Sequence, residues 1–203
     1  MVSLIETLCI ENGRIRNLEY HNQRFNSSRE ALFGETGTIS HANLAQLIRI
    51  PGDLGPGIYR CRVRYGHEIE EVEFLPHRPR IIRSLKIVRA DDIEYSFKYA
   101  DRTQLKKLFA QKGTCDEILI IKHGFVTDTS ISNVVFRTKD GSWITPDTPL
   151  LNGTMRMWLL EARRITEVPF RPEDLPGYTG ARLINCMRDL DSGPTIRMNR
   201  IIP

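Results

Sequence analysis

Four short segments with strand character, joined by tight turns, dominate the second half of this chain. They cover residues 117–122, 125–127, 133–137 and 142–145, and Gly124 and Gly141 stand at two of the turns. Strands separated by so few residues pair antiparallel, because a parallel neighbour needs a long crossover connection. The region therefore predicts an antiparallel meander rather than a series of parallel β-α-β units.

The first half of the chain alternates strand and helix signals. Residues 4–11 have the pattern of a strand, Asn12-Gly13 is a strong hairpin signal, and helical character from residue 19 to residue 33 stops at Gly34. Ser40 is the predicted N-cap of a second helix, and strands follow at residues 58–65 and 68–75. This order is typical of a small α/β lobe.

Pro76 and Pro79 mark the best linker candidate, because two prolines in four residues cannot continue the interior of a strand. Beyond them we expect a strand at residues 85–90, helices at 101–112 and 154–164, and a late strand at 182–186. The fold class is α+β in two lobes. The small N-terminal lobe spans residues 1–80, and the larger C-terminal lobe, with the meander, spans residues 81–203.

The composition narrows the class of function. No apolar run approaches the roughly 20 residues that cross a bilayer, and the first residues lack the pattern of a signal peptide. The four cysteines are scattered and the five histidines lack metal-ligand spacing, so we expect a cytoplasmic protein with reduced thiols and no metal. Of the 29 basic residues 22 are arginines, which suit carboxylates and phosphates, and no basic tail indicates nucleic acid.

Lys98 is the strongest candidate for a catalytic residue. It follows the aromatic segment Tyr95-Ser96-Phe97, which we expect to be a strand, and precedes Tyr99 near the start of a predicted helix. Apolar neighbours would desolvate the ammonium group and lower its pKa, which a Schiff-base lysine requires. A lysine that extends its charged end into water at a strand end is the alternative, and the local sequence alone favours it.

Two other segments suit anionic ligands. Gly153 precedes a predicted helix, and the free amides at a helix start, together with the macrodipole, attract phosphate. In the strand at residues 58–65, alternation places Arg60, Arg62 and Arg64 on one face. A row of like charges favours a bound substrate carboxylate there, and a solvated outer face is the alternative.

Four motifs follow one another along the chain. They are Ile5-Glu6-Thr7 with Glu11 to Arg24, Lys98 to Arg102, Asp116 to Phe136, and Ile144 to Arg156. In this order they resemble the class IV aminotransferases, the fold type IV enzymes that use pyridoxal 5'-phosphate (PLP). That family includes branched-chain aminotransferases, D-amino-acid aminotransferases and 4-amino-4-deoxychorismate lyases. The resemblance covers nearly the whole chain and implies the two-lobed fold of the D-amino-acid aminotransferases.

The resemblance also implies roles for individual residues. Lys98 would form the Schiff base with PLP and then move protons, and Asp128, where the family usually has glutamate, would pair with the pyridine nitrogen. Leu151 would pack on the face of the ring. The remaining implied contacts to the cofactor, mainly to its phosphate, are Arg24, Gly153, Thr154, Met155, Cys186 and Met187.

The resemblance favours one reaction and leaves two alternatives. The pattern from Lys98 to Arg102 is nearer to the lyases, so 4-amino-4-deoxychorismate lyase, which eliminates pyruvate in 4-aminobenzoate and folate synthesis, is favoured. An amino-acid transaminase (branched-chain or D-amino acid) is the alternative. A non-catalytic PLP-binding protein is the third reading, because Asp128 is shorter than glutamate and a segment that family members place before the first strand is absent. We expect a homodimer and a small amino substrate whose carboxylate contacts Arg60, Arg62 and Arg102.

Overall fold

A computed structural model describes residues 2–34 and 42–203, so the predicted N-cap Ser40 lies outside the described residues. The chain divides into two compact units. Unit 1 comprises Met1–Arg78 and Phe97–Asp101, and unit 2 comprises Pro79–Ser96 and Arg102–Pro203. The segment that carries Lys98 is therefore grouped with the N-terminal residues, although a single boundary near residue 80 would assign it to the second lobe.

Among its described residues, unit 1 has one antiparallel sheet and two helices. Its elements are β1 (Leu4–Glu11), β2 (Arg14–Ile15), α1 (Leu18–Phe33), α2 (Leu44–Leu47), β3 (Ile58–Tyr65) and β4 (Ile69–Pro76), with the sheet order β2-β1-β3-β4. The predicted hairpin is confirmed, because Asn12 and Gly13 both have positive φ angles, 51° and 74°, as a type I' turn requires. The second helix among the described residues has Asn43 as its N-cap, and the Asn43 side chain accepts from the Ala45 amide.

Helix α1 packs on one face of this sheet. The face is apolar: Leu4, Leu8, Ile10, Phe25, Val63 and Tyr65 form its buried centre. Glu6 alternates in phase with Leu4 and Leu8, so its carboxylate points into the same core and is fully buried. A buried carboxylate needs polar partners, and only residues that pack on this face can supply them.

Unit 2 has two four-stranded sheets among its described residues. Its elements are β5 (Leu85–Arg89), α3 (Thr103–Phe109), β6 (Glu117–Lys122), β7 (Phe125–Val126), β8 (Asn133–Arg137), β9 (Trp143–Pro146), α4 (Thr154–Glu161), β10 (Thr166–Val168), β11 (Gly180–Ile184) and β12 (Ile201–Ile202). The sheet orders are β12-β5-β6-β7 and β10-β9-β8-β11. Apolar side chains from both sheets form one cluster, and α4 packs against β8 and β11 in another.

The predicted meander is only partly present. β6 with β7 and β8 with β9 are antiparallel hairpins, but the two hairpins belong to different sheets. β5 pairs in parallel with β6 through α3, so this part of the chain is a β-α-β unit, a pairing that the turn signals at residues 117–145 did not predict. Turn signals report only on neighbouring strands, whereas the connection from Arg89 to Glu117 is long enough for a crossover. Within the described residues, no helix has both the length and the apolar character to cross a membrane.

Candidate active site

Lys98 lies on a segment at the edge of β1, outside any strand of its own. The Ile5 amide donates to the Lys98 carbonyl oxygen at 2.9 Å, and the Ala100 amide donates to the Ser3 carbonyl oxygen at 2.8 Å. This segment lines β1 at the end that β2 does not reach. The predicted strand at Tyr95 to Phe97 is therefore wrong, yet the main chain of Lys98 is fixed by sheet-like hydrogen bonds.

A buried network of charged groups lies beside this segment. Arg24 donates from Nε to Glu6 Oε1 at 2.8 Å and from Nη2 to Glu6 Oε2 at 2.6 Å, and His21 Nδ1 lies 2.7 Å from the same Oε2. His21 and Arg24 are almost one helical turn apart on α1, so both reach the carboxylate that β1 presents. Arg24, which the resemblance assigns to the phosphate, thus also holds a carboxylate, and its role as a phosphate ligand stays a prediction.

The Glu6–His21–Arg24 network fixes its own protonation state. Burial raises the pKa of Glu6, but the charge and hydrogen bonds of Arg24 and His21 outweigh burial and hold that pKa at about 2. Burial lowers the pKa of His21 more than Glu6 raises it, so the imidazole is neutral and donates from Nδ1. The Lys98 charge also contributes to lowering the His21 pKa, so the ammonium group and the imidazole lie within electrostatic reach.

Asp128 is buried in unit 2 and is held by neutral donors. Asn133 donates from Nδ2 to Asp128 Oδ1 at 2.7 Å, and the Leu151 amide donates to Asp128 Oδ2 at 3.0 Å. Burial raises the pKa of Asp128 to about 6, because these hydrogen bonds and the more distant Arg156 charge offset only part of the desolvation. The carboxylate therefore lacks a close counter-ion within the described residues and is suited to accept one.

Asn133 connects this carboxylate to the start of α4. Its Nδ2 also donates to the Leu151 carbonyl oxygen at 2.9 Å. A Cβ atom on Gly153 would lie 2.0 Å from Asn133 Oδ1, so only glycine allows this approach. Gly153 is the N-cap of α4 and brings no side chain to its first-turn amides, which is compatible with an anion at this position. Thr154 and Met155 follow in the first turn and are buried.

Arg102 and the segment around Cys186 contact the turn that follows Asp128. Arg102 donates from Nη2 to the Ser130 carbonyl oxygen. Asn185 donates from Nδ2 to Ser132 Oγ at 2.9 Å, which fixes the half-buried turn that contains Cys186 and Met187. The structure thus brings Arg102, the Cys186 turn and Asp128 into one region of unit 2.

The arginine row on β3 is exposed, as its alternation predicts. Arg62 lies opposite Glu73 and Arg64 lies opposite Glu71 on β4, and Arg64 also pairs with Glu70 at 3.1 Å. Acidic residues of the neighbouring strand therefore moderate the repulsion that suggested a bound carboxylate. Substrate binding by Arg60 and Arg62 stays a prediction.

Sequence reasoning missed Glu6, His21 and Asn133 as members of the site, although all three stand in the quoted motifs. The signal for Glu6 was a charged residue in phase with the apolar face of a strand. Asn133 gave no comparable signal, because its two hydrogen bonds reach residues 5 and 18 positions away. Among the residues that the structure describes, no group of three or more His, Cys, Asp or Glu side chains could hold a metal ion.

Known proteins resemble this chain over nearly its full length. The model of the family described as amino-transferase class IV matches residues 94–190. A Haemophilus influenzae Rd protein whose name assigns no function is 43% identical over 190 residues, which are 94% of this chain and 100% of that protein. A Haemophilus somnus 129Pt protein, provisionally named 4-amino-4-deoxychorismate lyase, is 40% identical, with a TM-score of 0.84 over 94% of this chain and 98% of that one.

A more distant solved structure shares the fold. It is the PLP-bound form of a hypothetical aminotransferase from Mycobacterium tuberculosis, which is 19% identical and has a TM-score of 0.74. The match covers 98% of this chain and 81% of that one.

Proposed function

Since this chain belongs to the class IV aminotransferase family, we propose that it is a PLP-dependent 4-amino-4-deoxychorismate lyase. PLP supplies an electron sink that stabilises a carbanion next to the substrate nitrogen. The lyase reading is supported by the name of the 40% identical relative, which covers nearly the whole chain, and by the pattern from Lys98 to Arg102.

The observation that carries the cofactor assignment is the state of Asp128. Its pKa of about 6 leaves it mainly ionised at neutral pH, and neutral donors fix both of its oxygens without neutralising its charge. A protonated pyridine nitrogen is a cation of the kind that this carboxylate can accept. The side chain is one methylene shorter than glutamate, and the Asn133 and Leu151 bonds define where its oxygens stand.

Lys98 is proposed as the residue that binds the cofactor covalently and moves the proton. Its main chain is anchored to β1, so rotation about the side-chain bonds can move Nζ while the backbone stays fixed. His21 is neutral, and Arg24 donates two hydrogen bonds to Glu6. Neither group is therefore an acid that competes with Nζ of Lys98 in proton exchange. The first-turn amides of α4, which follow Gly153, are proposed to hold the phosphate, because the N-terminus of a helix attracts anions.

The cofactor assignment is tested with the purified protein and PLP. The wild type should show the visible absorbance band of a lysine-bound cofactor, and borohydride reduction followed by peptide mass spectrometry should place the label on Lys98. Lys98→Ala should lose the band and the label, whereas Lys86→Ala, a control at a lysine on β5, should keep both. A wild-type protein that remains colourless and unlabelled after addition of PLP would refute the proposal.

The reaction is tested by its products. Release of pyruvate and 4-aminobenzoate from 4-amino-4-deoxychorismate supports the lyase. Keto-acid formation from branched-chain or D-amino acids, without pyruvate release, would instead establish the transaminase. Bound PLP without either reaction would establish the non-catalytic alternative.

We also propose that the protein is a cytoplasmic homodimer, as the family resemblance implies. None of the four cysteines forms a disulfide in the described residues and three of them are buried, which is compatible with a reducing compartment. Sedimentation equilibrium of the PLP-loaded protein tests the dimer, and a monomer at micromolar concentration would contradict it.

A further inference from the structure

Arg188 stands at the end of a tight turn that is fixed to the Asp128 region. The amides of Asn185 and Arg188 each donate to the carbonyl oxygen of the other, both at 2.9 Å. The Asn185 side chain holds Ser132, in the turn that follows Asp128, at 2.9 Å. The main chain of Arg188 is therefore anchored, through Asn185 and Ser132, to the turn that follows Asp128.

The guanidinium of Arg188 is half-buried beside another arginine. Its Nη2 donates to the main-chain oxygen of Arg80 at 2.6 Å, and its aliphatic stem lies against Gly193. Burial and the positive charge of Arg80 both lower the pKa of Arg188, and no acidic group is among the causes. The charge of Arg188 is thus partly desolvated next to a second positive charge.

The contacts of the Arg80 guanidinium are likewise not with a carboxylate. Its Nη2 donates to the main-chain oxygen of Asp116 at 3.1 Å, and its guanidinium lies over the Phe109 ring, 5.6 Å from the centroid. The Asp116 carboxylate accepts from the Arg83 amide at 2.8 Å and from Ser84 Oγ at 3.0 Å. The carboxylate of Asp116, whose main-chain oxygen Arg80 contacts, is therefore occupied by other donors.

The acids next to Arg188 in sequence are also engaged elsewhere. Asp189 Oδ1 accepts from the amides of Asp191 and Ser192, at 3.1 Å and 2.7 Å. Asp191 pairs with Arg164 at 3.0 Å. Within residues 2–34 and 42–203, neither Arg80 nor Arg188 forms an ion pair.

We propose that Arg188, supported by Arg80, binds a carboxylate of the substrate. A planar guanidinium binds a carboxylate through two parallel hydrogen bonds, and a bound anion would relieve the repulsion between the two arginines. The position of Arg188 near the Asp128 turn makes the substrate, rather than a bulk anion, its ligand. This inference rests on the proposed function and assigns to one side chain the recognition that the sequence suggested for Arg60 and Arg62.

The test compares Arg188→Gln, Arg188→Lys and Arg137→Gln in the PLP-loaded enzyme. Loss of a charge-assisted pair should raise the KM for 4-amino-4-deoxychorismate about 10- to 100-fold in Arg188→Gln, with kcat changed less than about threefold. Arg188→Lys keeps the charge and should recover part of the loss. Arg137→Gln, the matched control at an exposed arginine at the end of β8, should leave KM unchanged. The visible band of the cofactor should be the same in all four proteins.

Calorimetric titration with pyruvate and with 4-aminobenzoate identifies which substrate carboxylate Arg188 binds, since each product retains one of the two carboxylates of 4-amino-4-deoxychorismate. Arg188→Gln should weaken the binding of one product and spare the other. A KM within about twofold of the wild type in Arg188→Gln, or an equal effect of Arg137→Gln, would overturn the assignment. A wild-type protein without the cofactor band would refute the proposed function. The carboxylate site is refuted separately if pyruvate and 4-aminobenzoate bind to the wild type and to Arg188→Gln with equal affinity.

Discussion

Glu6 in unit 1 and Asp128 in unit 2 are both buried carboxylates, but their surroundings shift the two pKa values in opposite directions. Glu6 meets the fork of Arg24 and an imidazole, and its pKa falls to about 2. Asp128 meets an amide side chain and a main-chain amide, and its pKa rises to about 6. A close opposite charge can outweigh desolvation, whereas neutral donors offset only part of it.

The difference separates a structural charge from one prepared for a ligand. Glu6 has its counter-ion within the fold, so its network is complete before any ligand binds. Asp128 keeps a charge that its partners do not neutralise, and a cationic ligand would lower its pKa and the cost of its burial. Buried acids with raised pKa values are for this reason better candidates for ligand contacts than buried ion pairs.

The largest expected effect comes from removal of the charge that compensates Glu6. Arg24→Gln leaves a fully buried carboxylate without its counter-ion, and loss of one partner of a buried pair costs about 3–5 kcal/mol of the free energy of unfolding. Denaturant unfolding at neutral pH measures the loss. Glu6→Gln combined with Arg24→Gln should recover part of it, and a single variant as stable as the wild type would show that the network is not structural.

Asp128→Asn tests the other side of the comparison in the cofactor-free protein. Because the folded-state pKa of Asp128 is raised from 3.8 to about 6, its contribution to stability is present below pH 4 and is lost as the pH rises through 6. The stability of the wild type relative to Asp128→Asn should therefore fall by about 2 kcal/mol between pH 4 and pH 7. Unfolding curves at a series of pH values measure this, with Asp140→Asn as an exposed control, and parallel pH profiles would contradict it.

Gly153→Ala should loosen the donors that fix Asp128. The new Cβ would lie 2.0 Å from Asn133 Oδ1 and would therefore displace the Asn133 side chain. We expect this to lower the free energy of unfolding by about 1–3 kcal/mol. In an Asn133→Ala background the same change should cost much less, which a double-mutant cycle of unfolding free energies measures. Gly177→Ala is the matched control, since its Cβ would meet no atom within 4 Å. Additive effects at Gly153 and Asn133 would argue against the coupling.

The smallest effect is expected for an ion pair that water screens. Arg64 pairs with Glu70 at 3.1 Å and with Glu71 at 3.5 Å, but the side chain is 46% exposed. Arg64→Gln should change the free energy of unfolding by less than about 1 kcal/mol. A loss as large as that of Arg24→Gln would mean that burial does not distinguish the two kinds of pair.

The sequence predicted several elements and the family. The strand at residues 4–11, the Asn12-Gly13 turn and the alternation at residues 58–65 follow from local rules, and the structure confirms each. The motif order predicted the class IV family, which the comparisons confirm. The parallel pairing of β5 with β6 was missed, because it is decided by a crossover through α3 that no turn signal reports.

For the candidate site, the sequence by itself determined which residue types stand in the motifs: Lys98, Asp128, Gly153 and the Glu6 to Arg24 segment. Only the tertiary structure decided what state they are in. Glu6 is ionised because α1 brings Arg24 to it across 18 residues, and Asp128 has a raised pKa because Asn133 and Leu151 offer it hydrogen bonds without charge. Burial and the distance to other charges control a pKa, and both depend on which distant segments pack together.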